Sequence, residues 1–178
     1  MKSFAMVGVI LVSRVLMMVF AQDSWKVQVS PPVSNTWVDP SIGLMWAGRD
    51  NGKDLSWKKA VKYCRDLRLA GYSDWRLGSL GELEGIYDKN ANSAGESPRS
   101  RWHDAESMTF HVKGNLFLTG NEWTSSQRMD DRGRPSGYAW RYDFNEGREF
   151  DGDELSFSIN KRALCVRGPV ESSRKSSE

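Results

Sequence analysis

The residues best suited to meet a charged ligand lie between positions 58 and 68. Lys58, Lys62 and Arg65 recur at a spacing of four and then three, with Lys59 and Arg68 beside them and only Asp66 offsetting them locally. On a helix that spacing forms one row. Ammonium and guanidinium groups in a row can meet sulfates or phosphates. A solvated helix face is the ordinary, preferred reading of such a run. The sharper reading makes Lys58, Lys62 and Arg65 candidate ligand-binding residues. Trp102, beside His103 in a polar stretch, is the tryptophan expected to stand exposed and joins that candidate set. A second cationic group, Arg128, Arg132, Arg134, Arg141 and Arg148, interleaves with Tyr138, Trp140 and Tyr142. Cations among rings suit sugars or anionic polymers. Glu122, Asp130, Asp131, Asp143, Glu146 and Glu149 share that stretch, so internal ion pairs are the preferred reading.

Other chemistries find little footing. Asp151-Gly-Asp-Glu154 is acidic enough for calcium, but an EF-hand frame opened at Asp143 puts Gly147 and Arg148 at its fifth and sixth positions. His103 and His111 have no cysteine nearby and fit no zinc spacing. Gly71-Tyr-Ser73-Asp-Trp75 begins like a nucleophile elbow, but Trp75 stands where the second glycine is required. Carboxyl pairs for glycoside hydrolysis stay open, because their separation is a three-dimensional fact. We therefore expect a non-catalytic protein with no cofactor.

The elements that must carry these residues can be read from the rest of the chain. The sequence has 178 residues, 39% hydrophobic and 27% charged, one domain's worth of ordinary globular composition. Residues 1–21 read as a signal peptide: Lys2, an apolar stretch from Phe4 to Ser13, and Val19-Phe20-Ala21 before the expected cut. Arg14 interrupts the apolar run and argues against a membrane span. A buried N-terminal helix is the alternative. Lys2 and Arg14 are the only charges in that segment, and the net charge of the whole chain is +2. Cleavage would leave a neutral protein, so nucleic acid is not an expected partner. Residues 22–35 form a polar arm, 36–168 the domain, and 169–178 a Ser- and charge-rich tail expected to be disordered. Export, to the outside or to the periplasm and envelope, would place Cys64 and Cys165 where disulfides persist. The two are expected to pair, with two buried thiols as the alternative.

Ser56 precedes Trp57, Ala60, Val61, Cys64 and Leu67, a helical stripe that turns Cys64 inward. Ser79-Leu80-Gly81-Glu82 is a capping-box pattern opening a second helix, with Leu80, Leu83, Ile86 and Tyr87 on its buried face. Strands are expected over Glu122–Gln127, over Tyr138–Phe144 with Tyr138, Trp140, Tyr142 and Phe144 on one face, and over Ala163–Arg167. Asn145-Glu146-Gly147 is a turn. Asp88–Asn115 reads as polar and irregular, the kind of segment where binding often resides. Most of the tryptophans are expected in the core, Trp57 in particular.

Several segments together carry a family resemblance. Trp37-Val-Asp-Pro-Ser-Ile-Gly-Leu-Met-Trp46 is followed by Trp57-x-x-Ala60-x-x-Tyr63-Cys64, then Leu69-Ala-Gly-Tyr-Ser-Asp-Trp-Arg-Leu77 with Glu82-Leu83, then Glu122-Trp-Thr-Ser-Ser126, Ala139-Trp140 and Cys165-Val166-Arg167. Over Trp37 to Arg167 the chain resembles the family of the C-terminal domain of the Legionella collagen-like adhesin. The resemblance implies a C-type-lectin-like α+β fold: two helices flanking a twisted antiparallel sheet, with a long irregular loop region. It also implies a disulfide from the first helix to the last strand. Most members of that family are exported without an assigned activity, and the best-known one binds sulfated polysaccharides. The implied partner is an anionic glycan or, as the alternative, a surface protein of an envelope complex. Calcium-dependent lectins use Glu-Pro-Asn or Gln-Pro-Asp and Trp-Asn-Asp motifs, which this chain lacks. Gly78 stands where the family usually has proline, so a looser entry to the second helix is expected. There is no Gly-x-y run, so stalk-driven trimerisation is not expected.

Overall fold

The computed structural model describes residues 34–97 and 106–169. Residues 1–33 and 170–178 lie outside it, and with them the leader, most of the arm and most of the tail. So do residues 98–105, which include Trp102 and His103.

The fold is α+β. Strand β1 (Thr36–Val38) turns through Asp39-Pro40-Ser41 into β2 (Leu44–Ala47). The turn is closed by the Asp39 carboxylate, which accepts from the Ser41 amide at 2.8 Å, and Gly43 supplies the positive φ. Helix α1 (Trp57–Asp66) follows, then β3 (Arg76–Leu77) and helix α2 (Leu80–Ile86). The stretch expected to be irregular holds a two-stranded antiparallel ribbon, β4 (Ser93–Glu96) with β5 (Ser107–Phe110). Strands β6 (Asn121–Met129), β7 (Pro135–Asp143), β8 (Arg148–Glu154), β9 (Lys161–Arg162) and β10 (Cys165–Pro169) follow.

Among the described residues the strands form three sheets in place of one. The first runs β1-β2-β10-β3, the second is the β4-β5 ribbon, and the third runs β8-β7-β6-β9. All pairings within the sheets are antiparallel except β6 with β9. Sheet one brings the first strands and the last one together, so the described ends of the chain meet in one sheet.

Two hydrophobic clusters hold these layers. One gathers Trp46, Leu83, Ile86, Phe110 and Phe144 between α2, the ribbon and β7. The other gathers Ala60, Cys64, Trp75, Trp123 and Cys165 beneath α1. Cys64 and Cys165 form a disulfide with Cα atoms 5.3 Å apart. It joins α1 to β10, as the helical stripe and the resemblance both expected.

Gly78 corrects the expectation of a loose junction. A Cβ there would stand 3.2 Å from the Trp46 ring and 3.4 Å from Leu83. The glycine lets that ring close over the start of α2, and the Gly78 carbonyl accepts from the Ser125 amide at 2.7 Å. The entry is tight because packing replaces what a proline would pre-set. The alternation expected along β7 is also corrected. Tyr142 and Phe144 are buried, but so is Ala139, while Tyr138 is exposed. A register shift between Ala139 and Arg141 against β8 changes which face points inward.

Candidate functional site

Five residues before α1 decide the shape of the surface around it. Asp50-Asn51-Gly52 turns the chain: Asp50 Oδ1 accepts from the Gly52 amide at 2.7 Å, and Gly52 takes φ 69°. Asp50 also accepts from the Thr119 amide at 2.5 Å and the Thr119 hydroxyl at 3.0 Å. Asn51 Oδ1 accepts from the Ala163 amide at 2.6 Å. The chain leaving this turn is bound to β6 by two indoles. Trp123 Nε1 donates to the Leu55 carbonyl and Trp57 Nε1 to the Thr124 carbonyl, each at 2.8 Å. The Leu55 amide donates to the Lys161 carbonyl at 3.0 Å. Lys53 and Leu55 are thereby fixed along one side of α1.

Between that strap and the helix lies a shallow groove of about 470 Å³. Leu55, Tyr63 and Leu67 provide its apolar surface, and Lys53, Lys59, Lys62 and Arg68 its cations, against the single acid Asp66. A smaller hollow of about 180 Å³ shares Tyr63 and Leu67 and adds Arg49. The cations differ in how far they are committed. Lys62 pairs with Asp66 one turn on, and Arg65 lies 3.5 Å from the same carboxylate. The Lys62 hydrogen bond holds the Asp66 carboxyl below its ordinary range. Arg68 donates to the Leu67 and Arg65 carbonyls at the end of the helix. Lys53 and Lys59 are exposed and form no ion pair among the described residues. Burial, then the Asp50 charge, pushes the Tyr63 hydroxyl up, so it stays a neutral donor at the groove wall.

The row proposed from sequence is therefore split. Lys62 lines the basic groove. Lys58 faces the opposite side of the helix start, in a groove of about 500 Å³ with Ser56, Tyr138, Glu154 and Ser156. Arg65 lines neither groove. The helical spacing is as expected, but the chain segments flanking α1 divide the row: the strap just before the helix on one side, and residues 137–138 and 154–156 on the other. Trp102 lies outside the described residues.

The arginines of the second half are largely committed to internal pairs. Arg128 meets Asp151 at 3.4 Å, Arg134 meets Asp130 at 3.0 Å, and Arg141 meets Asp153 at 2.6 Å. Arg148 meets Glu146 at 2.6 Å. Asp151 and Asp153 of the acidic stretch are consumed in this way. His111 is half-buried rather than at the surface, with Nδ1 donating to the Ala91 carbonyl at 2.8 Å. Trp46, Trp75 and Trp123 are core, while Trp57 is only half-buried.

Two features escaped the sequence reading. Lys53 sits in a turn that Asp50-Asn51-Gly52 could have flagged. The buried acids Asp50 and Glu122 gave no signal at all. The molecule is a disulfide-closed α+β domain with a basic, apolar-floored groove beside its first helix. The model of the Lcl C-terminal domain matches residues 35–167, and the chain belongs to that family. No curated protein matches the chain.

Proposed function

We propose that this protein is an exported, non-catalytic binding domain with a C-type-lectin-like fold, and that it holds an anionic, sulfated extracellular polysaccharide in the groove beside α1. The observation that carries the reading is the groove itself: Lys53 and Lys59 stand uncommitted over the apolar residues Leu55, Tyr63 and Leu67. Sulfated sugars present charge at their edges and apolar C–H faces between, and such a wall meets both. Family membership supports the fold, and the disulfide supports an oxidising compartment.

The test is binding of the full chain to a heparin-type sulfated glycan at low and high salt. The double variant Lys53→Glu, Lys59→Glu is expected to lose at least about tenfold in affinity, with a shallower salt dependence. Salt-insensitive binding, or unchanged affinity in the variant, would overturn the reading. A protein partner is the second reading. The other groove favours it: Tyr138 lines it 37% exposed, and the chain leaving its rim at Ser156 carries Phe157 and Ile159, exposed to 40% and 67%. A stoichiometric protein complex lost on Tyr138→Ala, with no glycan retained, would establish that reading instead.

A further inference from the structure

Glu122 is fully buried at the start of β6, and Asp50 is 3% exposed beside it. Their supply of donors is unequal. Asp50 receives the amides of Gly52 and Thr119 and the Thr119 hydroxyl. The Leu164 amide and the Asp50 carboxyl face Glu122, but no donor reaches either of its carboxylate oxygens with good geometry. Two ionised carboxylates cannot share such a place, since neither could donate to the other and both would be desolvated. Among the described residues the cation acting on Glu122 is Arg162, opposite it on β9, and it is already engaged. Its Nε donates to the Thr119 hydroxyl at 2.7 Å, and its Nη1 pairs with Asp54. Tyr63 of α1, which feels the Asp50 charge, completes the titratable groups facing the pair. Arg141, Asp153 and Lys161 form a neighbouring ion cluster of their own. A bound cation would be the other way to hold two acids together. Among the described residues no group of three metal-ligating side chains gathers here.

We propose that Glu122 and Asp50 form a carboxyl pair that keeps one proton in the folded state at neutral pH, so that the domain takes up a proton as it folds and tightens as its surroundings acidify. The donors assign the proton: Asp50 remains the carboxylate, and Glu122 is the neutral acid that donates to it. Burial pushes Glu122 well above its ordinary value of 4.5, the Asp50 charge adds to this, and Arg162 only partly opposes it. Below about pH 4.5 the folded and unfolded chains both hold the proton, and the stabilisation is complete. Above that, the unfolded chain releases it while the folded chain does not, so stability falls with rising pH until Glu122 ionises in place. The pair sits under the Asp50–Gly52 turn, so the same proton steadies the strap that carries Lys53 and Leu55.

Urea unfolding of the full chain, followed between about pH 5.5 and about pH 7.5, tests this. In the wild type the folding constant is expected to fall about tenfold per pH unit more steeply than in Glu122→Gln. Glutamine has the shape of the protonated acid and can still donate to Asp50, so the variant removes the titration and keeps the contact. Parallel pH slopes would overturn the proposal. Should the variant not fold, infrared spectroscopy of the wild type alone decides. A protonated-carboxyl stretch in the folded protein at neutral pH is expected, and its absence would overturn the proposal. A rise in unfolding temperature with millimolar calcium or manganese chloride, without that carboxyl band, would also overturn it by assigning both acids as ionised ligands.

Discussion

Asp50 and Glu122 show how little residue type says about a residue's state inside a protein. Both are carboxylic acids in one buried place, and their donors differ: the Gly52 and Thr119 amides bond Asp50, whereas the Leu164 amide only faces Glu122. Gly78 makes the same point with a glycine. Its missing side chain is the space that the Trp46 ring fills. Gly78→Ala is expected to destabilise the domain by about 1 kcal/mol through overpacking, read as a lowered urea midpoint with unchanged slope. At this scale the sequence was legible where a residue's neighbours are local. Cys64 was placed inward because its helical stripe is local. Glu122 was not legible, because its strand reads as polar residues alternating around Trp123. In the fold Glu122, Trp123 and Thr124 are all fully buried, since that stretch is covered on both faces and alternation no longer marks an inside.

Among the elements, the helices were the most readable. The capping box forms as the pattern required: the Glu82 carboxylate accepts from the Ser79 amide at 2.8 Å, and the Ser79 hydroxyl accepts from the Glu82 amide. Glu82 does a second task that the pattern did not disclose, a two-pronged pair with Arg76 at 2.7 and 2.5 Å. Burial alone would raise its pKa, but Arg76 and then Ser79 bring it down to about 2. Because the folded value lies below the ordinary 4.5, this contribution is present above about pH 4.5 and is lost as pH falls toward 2. Glu82→Gln should cost about 1 kcal/mol near neutrality and flatten the acid limb of an unfolding curve, measured by circular dichroism from pH 5 downward. The strands were less legible. β4 is Ser-Ala-Gly-Glu and β8 is Arg-Glu-Phe-Asp-Gly-Asp-Glu. Neither has the apolar alternation that announces a strand, and both exist because a neighbour offers them a ladder. The site shared this limit. α1 and its lysines were readable, whereas the anchors on β6 that hold the strap and the wall beside Lys58, which decide which lysines face one groove, are long-range partners.

For the whole molecule the disulfide is the dominant constraint. Cys64 and Cys165 are 101 residues apart, and closing a loop of that length contributes about 4–5 kcal/mol by restricting the unfolded chain. Cys64→Ala with Cys165→Ala should therefore lower stability by a few kcal/mol. Treating the wild type with a reductant under native conditions should do little, because both sulfurs are buried. The position of the bond also settles where tension would travel if the domain were held at its two ends. Force entering through β1 and β2 passes along α1 only as far as Cys64, crosses the sulfurs, and leaves through β10. The hundred residues between, with α2, the ribbon and the whole third sheet, bear none of it. In a pulling experiment the oxidised protein should yield a short step, and the reduced one should release about 330 to 360 Å more chain. A domain that holds a surface while its anchor is tugged would thus carry the load through the strap and the first turns of α1 that wall its groove, while the third sheet stays slack.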